Sequence, residues 1–264
     1  MIETLFPIIS LSFLGLLFGL GLVFASRKFH VEVDPRLEKI CALLPGGNCG
    51  ACGKAGCFGF AESLFTPAVE IEKCRVCSEE TKEKIAQILG RSVEKKARVV
   101  ARLHCNGGKK VKDRFLYSQI KDCVAANILL KGQKECVYGC LGFDTCVKAC
   151  PFGAITMSQE NLPVVDENKC RACNKCVIVC PKKLFALLPY ESSVYVACSS
   201  HDIGKDVRTV CPAGCISCRL CEKACPVDAI HVIDNLARID YKKCTSCGKC
   251  VEVCPTKSIL DKRK

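Results

Sequence analysis

Hydrophobic positions along this 264-residue chain change their period several times, and each change predicts a different element. Residues 5–25, LFPIISLSFLGLLFGLGLVFA, carry no charge. At a rise of about 1.5 Å per residue they reach roughly 30 Å, the hydrocarbon thickness of a bilayer, and so predict one transmembrane helix. Apolar positions then take helical spacing in RLEKICALL, residues 36–44, with Asp34 as cap and Pro35 at the first helical position. A further helix is predicted from SEETKEKIAQILG, capped by Ser78, acidic in its first turn and stopped at Gly90. Alternation replaces helical spacing in ARVVARLHC, residues 97–105, which reads as a strand ended by NGGKK, and SSVYVACSS, residues 192–200, reads as strand-rich too.

The apolar span also predicts topology. A signal peptide would open on positive charge and close at a small-residue cleavage site, whereas this segment opens MIET and runs into SRKFH, so it is expected to stay attached. Arg27 and Lys28 follow it directly. The positive-inside rule then places the long C-terminal part in the cytoplasm and the short N-terminus outside, a single pass through the cell's inner (plasma) membrane. That compartment is reducing, which suits metal-bound thiolates and not disulfides. Gly15 and Gly19 form a G-x3-G pair, compatible with close approach of another helix or with simple tolerance of glycine in a span.

Composition changes the picture through cysteine, of which there are 26. CRACNKCVIVCP, CISCRLCEKACP and CTSCGKCVEVCP repeat C-x2-C-x2-C-x3-C-P, while CVYGCLGFDTCVKACP, Cys136 to Pro151, is stretched to C-x3-C-x5-C-x3-C-P. Disulfide frameworks belong to small secreted domains. Zinc uses separated C-x2-C knuckles and explains neither the third cysteine nor the fourth before proline. The pattern is that of bacterial ferredoxins, in which three close cysteines hold one 4Fe–4S cluster and the fourth reaches another. Aligned at their ends, CVKACPFGAI, CVIVCPKKLF, CEKACPVDAI and CVEVCPTKSI are four copies of one unit in two pairs. The stretched run keeps that ending, so it is expected to bind the same cofactor, with Gly139 and Gly142 easing a longer loop.

Crossing the fourth cysteines within each pair predicts four ligand sets. Cys136, Cys140 and Cys146 take Cys180; Cys170, Cys173 and Cys176 take Cys150. Cys215, Cys218 and Cys221 take Cys254; Cys244, Cys247 and Cys250 take Cys225. Upstream, the glycine-rich GGNCGACGKAGCFGFAESL holds Cys49, Cys52 and Cys57, with Cys74 as fourth ligand of a fifth cluster and Cys77 competing for that place. Cys41, Cys77, Cys105, Cys123, Cys198 and Cys211 are left over, as buried thiols or, for the last four, as a further metal site. A formal charge of +12 would by itself suggest nucleic acid or an anionic membrane surface. Five oxidised clusters at about −2 each bring the holoprotein near +2. The lysines therefore balance clusters, and no nucleic-acid partner is expected; the pairs Lys95-Lys96 and Lys109-Lys110 are either a solvated face or a dock for an acidic electron carrier.

No G-x-G-x-x-G, P-loop or other flavin or NAD site is visible, and His30, His104, His201 and His231 stand singly, so no catalytic residue is expected on this chain. The single N-terminal span, the GGNCGACGKAGC module, the CNGG segment, the stretched run and the paired ferredoxin repeats together resemble the B subunits of Rnf complexes over essentially the whole chain. The resemblance implies the electron-transfer subunit of a membrane-bound, ion-translocating ferredoxin:NAD+ oxidoreductase. Such a subunit takes electrons from soluble reduced ferredoxin and relays them to other membrane and peripheral subunits, which carry flavin, nicotinamide and ion sites. Two departures stand out, Cys77 beside Cys74 and CPKKLF where CPVDAI has an acidic-alanine-isoleucine continuation. Rival readings are an iron–sulfur subunit of another membrane assembly, such as a hydrogenase or formate-oxidising complex, and a structural zinc scaffold. The glycine-rich module is also similar to a domain of corrinoid iron–sulfur proteins, but no corrinoid-binding domain accompanies it.

The expected fold class is α+β: an N-terminal transmembrane helix, a small 4Fe–4S domain, then two bacterial-type two-cluster ferredoxin-like domains. Expected boundaries are 1–26 for the anchor, 27–90 for the four-cysteine domain, 91–130 for a linker or mixed segment, 131–190 for the first ferredoxin domain, 191–204 for a connector and 205–264 for the second.

Overall fold

The uncharged run closes its backbone hydrogen bonds within itself as one helix, Ile2–Lys28, with Arg27 and Lys28 in its last turn. Its stretch Ile9–Lys28 is long and apolar enough to cross a membrane. The side chains of Leu11, Phe13, Leu16, Phe18, Leu22 and Phe24 are all exposed, as a lipid-facing helix requires. A computed structural model of the chain describes residues 2–29, 34–93, 97–118 and 120–263, with side chains from residue 9 onward. His30 and the Lys95-Lys96 pair lie outside those residues. Residues 1–40 and 41–264 form two separate units.

A helix spans Pro35–Leu43, begun where the Asp34 carboxylate accepts from Arg36 N at 2.8 Å. In the second unit, Gly56–Ser63 forms a helix just after the glycine-rich loop, and Phe60 and Ala61 are buried on it. Glu79–Leu89 forms the next. Ser78 Oγ accepts from Thr81 N at its start, and Gly90 stops it at φ 65°.

Among the described residues, eight short strands follow: β1 Val99–Leu103, β2 Ile155–Met157, β3 Pro163–Val165, β4 Phe185–Pro189, β5 Val194–Val196, β6 Ile230–Ile233, β7 Leu236–Ile239 and β8 Ile259–Asp261. They pair antiparallel as β1–β4, β2–β3, β5–β8 and β6–β7. The same plan therefore appears twice. An incoming strand, a cysteine run, a hairpin, a second run and an outgoing strand follow one another, and the last pairs back on the first. Both segments read from the sequence as connecting material supply an incoming strand: β1 lies within 91–130 and β5 within 191–204. A ladder partner from upstream protects the outgoing strand from being an open edge.

Each repeat has a small core that incorporates cysteines. Ala101, Leu103, Ile155, Leu162, Leu184 and Phe185 pack with Cys146 and Cys176 in the first. Val194, Val196, Ile230, Leu236, Ala237 and Ile259 pack with Cys215 and Cys221 in the second. Cores this small rely on bound metal for much of their stability. The two repeats are clamped by Glu167, which meets Arg102 of β1 at 2.7 Å and Lys262, just past β8, at 2.9 Å. Arg102 is buried, donates to Ser192 O at 3.2 Å and lies 5.1 Å over the Tyr195 ring.

Candidate metal centres

One local device positions the third cysteine of every run. Two residues before it the backbone turns left-handed, at Asp144 (φ 56°), Asn174 (68°), Arg219 (58°) and Gly248 (83°). A short helix starts at once: Thr145–Lys148, Lys175–Val179, Leu220–Lys223 and Lys249–Glu252 carry Cys146, Cys176, Cys221 and Cys250. A second device serves the fourth cysteine. Three residues past it, Gly153, Lys183, Asp228 and Lys257 have φ of 57°, 52°, 49° and 52°. That bend turns the next backbone N–H back to the sulfur: Ala154 to Cys150 at 3.4 Å, Leu184 to Cys180 at 3.5 Å and Ala229 to Cys225 at 3.2 Å. At the fourth copy the Ser258 hydroxyl lies 3.3 Å from Cys254 Sγ. Donors aimed at sulfur stabilise a metal-bound thiolate and tune its potential.

The thiols gather in groups of four. Cys150, Cys170, Cys173 and Cys176 line a hollow of about 330 Å³, and Cys225, Cys244, Cys247 and Cys250 line another of about 330 Å³. Cys215, Cys218 and Cys254 all stand close enough to Cys221 to act on its charge. Cys140, Cys146 and Cys180 line a hollow of about 350 Å³ whose other cysteine is Cys123. Cys136 lines a separate hollow of about 530 Å³ with Cys105, Cys198 and Cys211, and Cys140 reaches its edge. Among the described residues no three His, Cys, Asp or Glu side chains converge closely enough to hold a single metal ion. The thiols ring hollows, which fits a multinuclear cluster better than one tetrahedral zinc.

Cys123 owes its position to its neighbour. Asp122 caps helix Cys123–Ile128, accepting from Val124 N at 2.8 Å and Ala125 N at 3.0 Å, and its other oxygen accepts from Thr145 Oγ1 at 2.8 Å. Thr145 Oγ1 in turn accepts from Cys123 N at 2.8 Å. These bonds tie the start of that helix to the residue before Cys146.

In the glycine-rich module, Asn48 Oδ1 accepts from Cys57 N at 2.8 Å and shapes the loop. Gly56 sits at φ 78°, and a Cβ there would lie 2.7 Å from that oxygen, so only glycine fits. Gly47 keeps an ordinary backbone and faces Phe152. Cys52 and Cys77 line one cleft that also touches Cys170, Arg171 and Ala172. Cys74 and Cys77 hydrogen-bond through their side chains, which lowers the Cys74 thiol and raises that of Cys77. Cys49 is near enough to act on Cys173, and Cys57 on Cys41.

Burial pushes several of the other thiols up: Cys136, Cys198 and Cys250 to about 11, Cys146, Cys176 and Cys221 to about 12. Unligated, they are protonated at neutral pH, and metal binding must release those protons. The described histidines have structural partners. His104 Nδ1–H donates to Val196 O at 2.7 Å, His201 Nδ1 to Asp234 O at 2.9 Å, and His231 pairs with Glu222 at 3.3 Å.

Comparison with known proteins finds iron–sulfur domains along the same stretches of chain. Models described as a 4Fe-4S dicluster domain fit residues 134–184 and 214–258, and an Fe-S cluster model fits residues 44–76. The chain is 40% identical over 93% of its length to the B subunit of the ion-translocating oxidoreductase complex of Methanosarcina acetivorans, of which it covers 94%. It is 41% identical over 91% of its length to the B subunit of the Na(+)-translocating ferredoxin:NAD(+) oxidoreductase complex of Acetobacterium woodii, covering 72% of that chain. Against the B subunit of the proton-translocating ferredoxin:NAD(+) oxidoreductase complex of Clostridium ljungdahlii the identity is 42% over 90% of this chain and 84% of that one.

Proposed function

Given that the chain belongs to the B-subunit family of the ion-translocating Rnf oxidoreductase complexes, and is thus an iron–sulfur electron-transfer subunit with 4Fe–4S domains, we propose how it works. It takes electrons from soluble reduced ferredoxin on the cytoplasmic side of the membrane and hands them to other subunits on the way to NAD+. It contributes no complete active site of its own to that reaction. The clusters, when bound, supply one-electron redox chemistry; the polypeptide's part is to hold them in order, exclude water and dock partners.

The observation that carries this reading is the serial arrangement of four-thiol sets. We assign five: Cys49, Cys52, Cys57 and Cys74; Cys123, Cys140, Cys146 and Cys180; Cys150, Cys170, Cys173 and Cys176; Cys215, Cys218, Cys221 and Cys254; and Cys225, Cys244, Cys247 and Cys250. The fit of the 44–76 model favours Cys74 over Cys77 in the first. In the second, Cys123 takes the place that the stretched run gives to Cys136, because Cys123 shares the hollow with the other three. Cys218 and Cys247, exposed in the second repeat, mark the face where ferredoxin docks. The nearness of Cys49 to Cys173 makes the glycine-rich module the exit, with the helix Ile2–Lys28 as anchor and its N-terminus outside. The domain division follows from this: anchor 1–26, four-cysteine domain 27–90, and two ferredoxin domains that absorb the strands of 91–130 and 191–204.

Anaerobic purification from native membranes tests the reading. Membrane partners, iron and inorganic sulfide should come with the chain, and reduced ferredoxin should bleach its visible absorbance. Colourless protein holding zinc would overturn it. In the intact complex, Cys49→Ala should stop transfer to membrane partners while the distal sites stay reducible; unchanged transfer would reject the exit route.

A further inference from the structure

We propose that Cys105, Cys136, Cys198 and Cys211 hold a sixth 4Fe–4S cluster, seated between the two ferredoxin-like repeats. The proposal rests on the iron–sulfur reading above and extends it.

The four thiols come from four separate places in the sequence and line one hollow of about 530 Å³. Each has at least two of the others beside it. Cys105 and Cys211 each act on the charge of Cys136, and Cys105 and Cys198 each act on that of Cys211. Gly107 lies among them: a Cβ there would stand 3.5 Å from Cys211 Sγ and 3.8 Å from Cys105 Sγ. With these four placed, every cysteine of the chain except Cys41 and Cys77 belongs to a set of four. The assignment also explains the stretched run, whose first cysteine serves a different site from its second and third.

The repeat itself builds the site. Cys105 follows β1 by two residues and Cys198 follows β5 by two residues, so the same position of each repeat contributes one thiol. Both strand ends are extended by the same bond, His104 N to Leu184 O and Ala197 N to Ser258 O, each at 2.7 Å. The two ends are also tied to each other, by His104 Nδ1–H to Val196 O at 2.7 Å and Ser199 Oγ–H to His104 O at 2.9 Å. Cys211 is supplied by the end of helix Gly204–Val210, its N–H bonded to Val207 O at 2.8 Å.

Backbone N–H groups already point at two of the sulfurs. Cys105 Sγ accepts from Cys140 N at 3.4 Å, and Cys198 Sγ accepts from Cys215 N at 3.3 Å and Ser200 N at 3.5 Å. Cys140 and Cys215 are ligands of the flanking sets in the first and second repeats. The new site is therefore bonded, through one peptide on each side, to a neighbouring site in either direction. A cluster there would add a redox centre between the flanking sites of the two repeats. In assembly, each of the four thiols gives up its proton as its sulfur replaces one carrier ligand on the 4Fe–4S core. Four Fe–S bonds to a cluster-donating carrier break as four to this chain form, the released carrier thiolates take up the four protons, and no oxidation state changes.

Iron and sulfide counting on the full chain, prepared anaerobically in detergent, tests this directly. About 24 iron and about 24 sulfide per chain are expected, falling to about 20 of each in the double variant Cys105→Ser/Cys211→Ser and staying at about 24 in Cys41→Ser. About 20 in the wild type, unchanged in the double variant, overturns the sixth cluster and leaves the five-site reading standing. About 20 iron with one zinc also overturns it. Protein with neither iron nor sulfide overturns both readings together. Should the double variant fail to fold, the wild-type count and the single variant Cys198→Ser decide by the same thresholds.

Discussion

In the second ferredoxin-like repeat every thiol around its two sites comes from residues 215–254, whereas the first repeat shares one of its hollows with Cys123 from an upstream helix and turns Cys136 toward the second repeat. The two regions otherwise follow one plan, strand for strand and bend for bend. Their difference teaches that regular spacing marks a closed unit, and a stretched spacing marks a place where the unit has opened to a neighbour. Opening has a structural requirement. The thiol brought in from outside must be held by something, and in the first repeat Asp122 and Thr145 do that.

The comparison can be broken most strongly at Cys123. Cys123→Ser should cost about four irons per chain, as Cys218→Ser should in the closed repeat, while the reduced spectra of the second repeat stay as they were. Iron analysis and electron paramagnetic resonance check it; an unchanged count would return Cys136 to that set. A smaller effect is expected where the repeats are clamped. Glu167→Ala leaves the buried Arg102 without its carboxylate and should destabilise the holoprotein by about 3 kcal/mol, read as a lower midpoint in urea. Wild-type stability in that variant would show that the repeats do not depend on the clamp. Smallest is Asp122→Ala, which removes a helix cap and should cost about 1–2 kcal/mol. Iron should leave the first repeat faster than the second in a chelator challenge; equal rates would deny that the cap supports Cys123.

Much of this was legible in the amino-acid order. Uncharged length gave the first helix, alternation gave β1 and β5, and the C-x3-C-P endings gave the two repeats. Ladder partners were not legible, because a three-residue strand such as β5 carries no record of pairing with β8 some sixty residues on. The left-handed residues escaped for another reason. None of Asp144, Asn174, Arg219, Lys183, Asp228 and Lys257 is glycine; Arg and Lys carry no signal of positive φ, and Asn and Asp, though enriched there, are too common elsewhere to mark it alone. Cys123, Cys105, Cys198 and Cys211 belong to no spacing motif, and Cys136 belongs to the stretched one. They meet only when strand ends and a capped helix are folded together, although the anomalous gaps after Cys136 and Cys140 were a visible sign that something there departs from the rule.

The bend three residues past each fourth cysteine also has an electrical side. At these four corners the chain presents Gly153, Lys183, Asp228 and Lys257, all facing solvent, one step before a buried residue whose amide or hydroxyl touches the ligating sulfur. Backbone shape is fixed at each corner while the side chain is not, so neutral, positive, negative and positive groups occupy equivalent points in four otherwise similar fields. A charge reversal at one corner would shift the potential of a single centre and leave the mould around it alone, which lets a uniform scaffold carry a graded series of potentials.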